Sequence, residues 1–135
     1  MVSVLVPIRF PPSEHSFRTI ERGGEIITED EGEDGELIIL HVNLIQGARW
    51  VTRTQLRSAV KQRLSGVPAY FVVRSGFVLE EAIVDEAANQ GVDHVVIGAS
   101  KPRWIQRKIA SLLGIRHDLA VALETELNVG FETVS

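Results

Sequence analysis

The sequence has no cysteine, one methionine and one tyrosine, and aromatic residues fill only 6% of its 135 positions. Without cysteine there is no disulfide framework, no cysteine-ligated zinc, no iron–sulfur cluster and no thiol nucleophile. That lack fits a reducing compartment, and a cytoplasmic localisation is expected. The few aromatics form no interleaved stacking platform for single-stranded nucleic acid, and Trp50 alone does not make one. Long apolar runs are missing as well. Val2–Val6 is far too short to span a bilayer and no basic segment precedes it, so neither membrane insertion nor a secretory leader is expected.

Several chemical signatures are also absent. The sequence contains neither a G-x4-G-K-[ST] loop nor a G-x-G-x-x-G turn. His15, His41, His94 and His117 show no paired ligand spacing, so no metal site is expected; His117, between Arg116 and Asp118, lies nearest the anticipated ligand end. Gly98-Ala99-Ser100 begins like a nucleophile elbow, but Pro102 stands where the closing glycine belongs. Glu80 and Glu81 read as first-turn partners of a helix dipole rather than as a catalytic pair. No nucleophile, base and orienting group assemble, so no catalytic residue is assigned and no enzymatic activity is expected.

What is present is an uneven charge. The net value is −4, from 14 Lys and Arg against 18 Asp and Glu, which as a bulk property argues against nucleic acid. Six of the 18 acids, however, lie in Glu29–Glu36, and outside that run 12 acids face 14 bases. From Leu37 to Leu79 there is no acid, only Arg49, Arg53, Arg57, Lys61, Arg63 and Arg74. Val95–His117 is likewise acid-free and holds Lys101, Arg103, Arg107, Lys108 and Arg116. Arg49, Arg53, Arg57 and Lys61 recur every fourth residue, one stripe on a helix, where like charges cost a few tenths of a kcal/mol per pair. An anionic partner would account for the stripe. The chain's own acidic loop, or an exposed face whose repulsion salt screens, accounts for it more simply.

Hydropathy patterning predicts buried strands at Val2–Val6, Leu37–Val42, Ala69–Val73 and His94–Gly98, with a weaker one at Val129–Val134. Helices are predicted from Ser13 through Ile27, with Phe17, Ile20, Gly24 and Ile27 at helical spacing, and from Trp50 to Leu64. Ser75-Gly76 then turns into a third, Val78–Gln90, with Leu79, Ile83 and Ala87 inward and Gly91 closing it. Two more are predicted over 102–113 and 118–127. Strands alternating with helices imply a doubly wound α/β fold with a mainly parallel sheet and helices on both faces. The length suits a single domain over residues 1–135. Ligands of such folds bind beyond the carboxyl ends of the strands, where the strand order reverses.

Three stretches resemble the universal stress protein family: Val4-Leu5-Val6-Pro7, Leu40-His41-Val42, and the run from Tyr70 to Ser100 with Val72-Val73-Arg74-Ser75-Gly76, Ala82-Ile83 and Gly91-Val92-Asp93-His94-Val95-Val96-Ile97-Gly98. The resemblance implies a five-stranded sheet in the order 3-2-1-4-5, commonly a homodimer through the last strand, in proteins linked to stress tolerance. Many members bind ATP through G-x2-G-x9-G-[ST] after the fourth strand, where glycines let backbone N–H groups approach phosphate. Here Gly98 is the first glycine, but Lys101 replaces the second. Strict counting places Ser111 and Leu112 at the last two positions, and a three-residue insertion would use Gly114 followed by Ile115. The family's aspartate after the first strand is Arg9, and Pro102 removes an N–H from the cradle.

The expectation is therefore a universal stress protein-like domain acting through dimerisation and protein interaction, without ATP in the family's usual manner, the stripe being its candidate interaction face. The alternative is a site for ATP, another adenine nucleotide or a different anion, built from Pro7, Arg9, Val42, Gly98, Ser100, Lys101, Arg103, Gly114 and Arg116. A third reading, a regulatory domain working with a transporter, rests on the family alone.

Overall fold

β-Branched and leucine side chains at period two build strands that bury both faces, and in this molecule they form a parallel sheet. The computed structural model describes residues 2–29, 34–47, 50–64, 66–98 and 129–134. In chain order these give β1 (Val2–Pro7), α1 (Glu14–Glu29), β2 (Gly35–Leu44), α2 (Arg53–Val60) with a 3₁₀ turn at Lys61–Arg63, β3 (Ala69–Gly76), α3 (Leu79–Gln90), β4 (His94–Gly98) and β5 (Gly130–Val134). The strands lie in the order β3-β2-β1-β4-β5, and every pairing is parallel. This is the expected α/β architecture and strand order. The expected helices over 102–113 and 118–127 lie outside the described residues.

Alternate side chains divide the core between the two faces. Val4, Val6, Leu37, Ile39, Phe71 and Val96 pack with Ile20 and Ile27 of α1 and Leu56 and Val60 of α2. Leu5, Ile38, Leu40, Val42, Val95 and Ile97 pack with Ala82, Ile83 and Ala87 of α3. Since the central strands β2, β1 and β4 are apolar on both faces, they read as continuous hydrophobic runs rather than alternations.

Some boundaries differ from expectation. β2 continues to Leu44 and β3 through Ser75-Gly76, because Ile45 N donates to Gly76 O and prolongs the ladder where a turn was expected. α2 starts at Arg53 rather than Trp50. Thr52 caps it: Gln55 N donates to Thr52 Oγ1 (3.1 Å) and Thr52 N donates to Gln55 Oε1 (2.9 Å), a reciprocal capping box. In α1 the inward glycine is Gly23, not Gly24: a Cβ on Gly23 would stand 2.8 Å from Leu37 Cδ2, whereas one on Gly24 would meet nothing within 4 Å. Leu79 is 38% exposed, so α3 turns Ile83 and Ala87 inward without it. Gly91 closes α3 with φ 62°, the left-handed conformation its expected place requires.

Candidate functional site

Two places merit description: the mouth at the carboxyl ends of β1, β2 and β4, and the flank formed by α2 and β3. Leu37 N donates to Pro68 O at the start of the β2–β3 ladder and Ile45 N to Gly76 O at its carboxyl end, so odd-numbered residues of β2 turn their backbone groups toward β3 and even-numbered ones toward β1. The β1–β2 register ends at Pro7 opposite Leu40, with Ile8 N donating to Leu40 O as a last rung. Val42 therefore directs its amide and carbonyl past the end of β1, while its buried side chain joins the core under α3. Arg9 is exposed just beyond Pro7. His41 Nδ1 lies 3.1 Å from Ile8 O, and the Phe10 ring stands edge-on to the imidazole at 6.1 Å, which fixes the start of the β1–α1 loop.

Gly98, at the end of β4, is tightly covered by α1. A Cβ there would lie 2.7 Å from Thr19 Oγ1 and 2.8 Å from both Cδ2 and Nε2 of His15, so only glycine admits this approach. His15 Nδ1 is 3.1 Å from an Arg18 guanidinium nitrogen, while its Nε2 is buried without a hydrogen-bond partner among the described residues. Sequence reasoning passed over His15 in favour of His117. The available signal was its spacing from Thr19, four residues on, which puts both on one helix face. The structure thus brings Pro7, Arg9, Val42 and Gly98 to the same end of the sheet. Ser100, Lys101, Arg103, Gly114, Arg116 and His117 lie outside the described residues.

The flank accounts for most of the acid-free stretch. Arg63, a base of that stretch outside the stripe, pairs elsewhere: it makes two contacts with the Glu14 carboxylate, at 3.1 and 3.3 Å, and its guanidinium sits 4.2 Å over the Phe17 ring. The hydrogen bond from Arg63 holds the Glu14 carboxyl below its ordinary pKa and raises that of Arg63 in turn. Arg74 turns to the opposite face, where it meets the buried Glu86 carboxylate at 3.1 Å; Gln90 Nε2 donates to the other Glu86 oxygen at 2.7 Å. Arg53, Arg57 and Lys61 remain, and among the described residues none of them is paired with a carboxylate. Arg49 lies outside the described residues.

These three cations line a groove of about 430 Å³ together with Leu64, Val67, Ala69 and Phe71. Arg53 is anchored: its Nε donates to the Phe71 carbonyl at 2.9 Å, across the outer edge of β3. The loop leading to α2 is anchored as well. The buried Asn43 side chain donates to Val51 O and accepts from Val51 N, both at 2.9 Å. The stripe was legible in the sequence, but its apolar counterpart was not, because Leu64, Val67, Ala69 and Phe71 belong to a turn and a strand that only the tertiary fold sets beside α2. Asn43 was also missed, since nothing local distinguishes a buried asparagine within a strand. Glu80, expected as a first-turn partner of the helix dipole, lies in the first turn of α3 and is buried there, with Oε2 lacking a partner among the described residues.

No helix among the described residues is long and apolar enough to cross a membrane, and no cluster of metal-ligating side chains is found among them. Comparison with known proteins gives a likeness of fold. No family model matches the chain, and no curated protein matches it in sequence. Among solved structures, a universal stress protein in complex with cAMP is similar at 20% identity, with a TM-score of 0.57 and coverage of 97% of this chain and 95% of that one. A hypothetical protein, PH0823, is similar at 18% identity, with a TM-score of 0.56 and coverage of 98% and 94%. The chain has a universal stress protein-like α/β fold.

Proposed function

We propose, taking the universal stress protein-like fold as the premise, that this domain acts by association rather than by turnover, with the groove between α2 and β3 as its docking face. The observation that carries this is the convergence of Arg53, Arg57 and Lys61 with Leu64, Val67, Ala69 and Phe71 on one concavity. Each cation could have been spread over the solvated face of the helix, as a merely soluble surface would allow. Gathered instead around an apolar floor, they form the mixed charged and hydrophobic lining by which partners are recognised. Homodimerisation through β5 belongs to the same reading. β5 is the last strand of the sheet, and Arg22 of α1 holds it through Glu132. The stress-response role implied by the resemblance is part of this proposal.

Affinity capture with the tagged protein, followed by identification of what is retained, compares the wild type with Arg57→Glu/Lys61→Glu. The association reading expects partners that the variant loses. An unchanged set would contradict it. Sedimentation velocity over a range of protein concentrations tests the dimer separately.

A second reading, binding of an adenine nucleotide or another small anion at the mouth, is favoured by one feature: the buried Nε2 of His15 beside Gly98, without a hydrogen-bond partner among the described residues, at the same end of the sheet as the outward backbone of Val42. A protein of similar fold is described in complex with cAMP. Calorimetric titration with ATP, ADP and AMP decides it. Micromolar binding lost in Lys101→Glu and in His15→Ala would establish the second reading, and its absence would leave association alone.

A further inference from the structure

The three cations of the groove occupy positions i, i+4 and i+8 from Arg53 to Lys61. At the rise of a helix, neighbours in such a row stand about 6 Å apart. In an extended chain, side chains on one face recur about every 6.6 Å. The row therefore matches an extended segment with acids at alternate positions.

The other wall of the groove points the same way. β3 is the terminal strand, and its even-numbered carbonyls at Pro68 and Gly76 accept from β2. Its odd-numbered backbone groups consequently face outward, as the Arg53 bond to Phe71 O shows. Ala69 and Phe71 thus bring a strand edge to the groove whose backbone groups, the Phe71 carbonyl held by Arg53 apart, have no partner strand among the described residues, a template for another extended backbone. Since Arg53 is held through Nε, both terminal nitrogens of its guanidinium are without a hydrogen-bond partner among the described residues and suit a bidentate carboxylate. A single-stranded nucleic acid fits less well, because the one aromatic residue lining the groove, Phe71, is buried at 7% exposure and offers no face for stacking.

Building on the association reading, we infer that the groove binds an extended acidic segment of a partner protein. Carboxylates at alternate positions face Arg53, Arg57 and Lys61, and an apolar side chain between them enters the floor formed by Leu64, Val67 and Ala69.

A fluorescein-labelled peptide of about ten residues, with alternating glutamates around a central leucine, is titrated with the full chain and followed by anisotropy. Saturable binding is expected, weakened about tenfold or more in Arg57→Glu/Lys61→Glu. A similar loss is expected when the same glutamates are grouped together in the peptide. Equal binding to the variant would overturn the site. Equal binding of the grouped peptide would overturn the extended register. If a single-stranded oligonucleotide of similar length binds more tightly than the peptide and competes with it, the acidic-segment occupant is overturned in favour of nucleic acid. Should the peptide fail to bind while captured partners still depend on Arg57 and Lys61, this inference fails and the association reading stands. Circular dichroism checks each variant, and Arg57→Gln, which removes one charge without reversing it, replaces the double variant if that does not fold.

Discussion

Arg53 donates from Nε to the carbonyl of Phe71 across 2.9 Å, which ties the first turn of α2 to the outer edge of the sheet. The bond caps one carbonyl of an otherwise open strand and also holds a guanidinium over the groove. Arg53→Ala is expected to lower stability by about 1 kcal/mol, the ordinary net worth of one such bond. It should also raise self-association at high concentration, because an uncovered edge invites strand pairing. Urea denaturation and light scattering measure the two effects. A variant unchanged in both would show that the bond is idle.

Asn43 has a different task. Its side chain satisfies both backbone groups of Val51, and both residues are buried. Asn43→Ala strands one N–H and one C=O, so a loss of about 3 kcal/mol is expected. Asn43→Asp retains the acceptor for Val51 N but places a carboxylate oxygen against Val51 O, and a substantial loss is expected there too. Urea midpoints for the two variants check this. Because the same contact places the start of α2, hydrogen exchange should also rise in residues 51–60.

The adjacent glycines of α1 should respond in opposite directions. A Cβ at position 23 would lie 2.8 Å from Leu37 Cδ2 and 3.0 Å from Val6 Cγ2, in the packed core. Gly23→Ala is expected to destabilise by about 1–3 kcal/mol through overpacking, outweighing its gain in helix propensity. Gly24→Ala meets nothing and should stabilise by about 0.5–1 kcal/mol. Equal shifts in the denaturation midpoint would contradict the close approach of α1 to the sheet.

Arg22 bridges Glu132 of β5 and Glu29 at the end of α1; its contacts include 3.1 Å from Nη2 to Glu132 Oε1 and 3.1 Å from Nη1 to Glu29 Oε1. The hydrogen bond from Arg22 holds the Glu132 carboxyl below its ordinary value of 4.5, opposed by partial burial, while Arg22 and nearby His94 add charge attraction. A carboxyl lowered on folding contributes stability above its unfolded pKa and loses it as the pH falls through its folded pKa. Glu132→Gln should therefore cost stability at neutral pH, with the difference from the wild type vanishing in acid below the folded pKa. Urea midpoints measured from neutral to acidic pH test this, and a difference independent of pH would mean that the ion pair contributes nothing.

The sheet was legible from residue pattern because its central strands are buried on both faces: Val4-Leu5-Val6 and Val95-Val96-Ile97 leave little room for another reading. Strand ends were not, because Ser75-Gly76 looks like a turn until Ile45 N reaches Gly76 O from another strand. The stripe followed from a four-residue period, yet where the other bases of the acid-free stretch pair depended on remote acids. Arg63 is drawn to Glu14, 49 residues away, and Arg74 to Glu86 on the opposite face. At the mouth, Gly98 ends β4 as expected, whereas β2 runs past the expected end at Val42 to Leu44. The partner that crowds Gly98, His15, comes from α1, a packing relation that no local pattern encodes.

The central claim is that Arg57 and Lys61 meet carboxylates of a bound segment, and a charge exchange tests it most directly. The alternating-glutamate peptide and a matching alternating-lysine peptide are each titrated against the wild type and against Arg57→Glu/Lys61→Glu. The expected result is crossed preference, with the wild type selecting the acidic peptide and the variant the basic one, each by about tenfold or more. The account is contradicted if the variant binds neither peptide while remaining folded, or if both proteins prefer the same peptide.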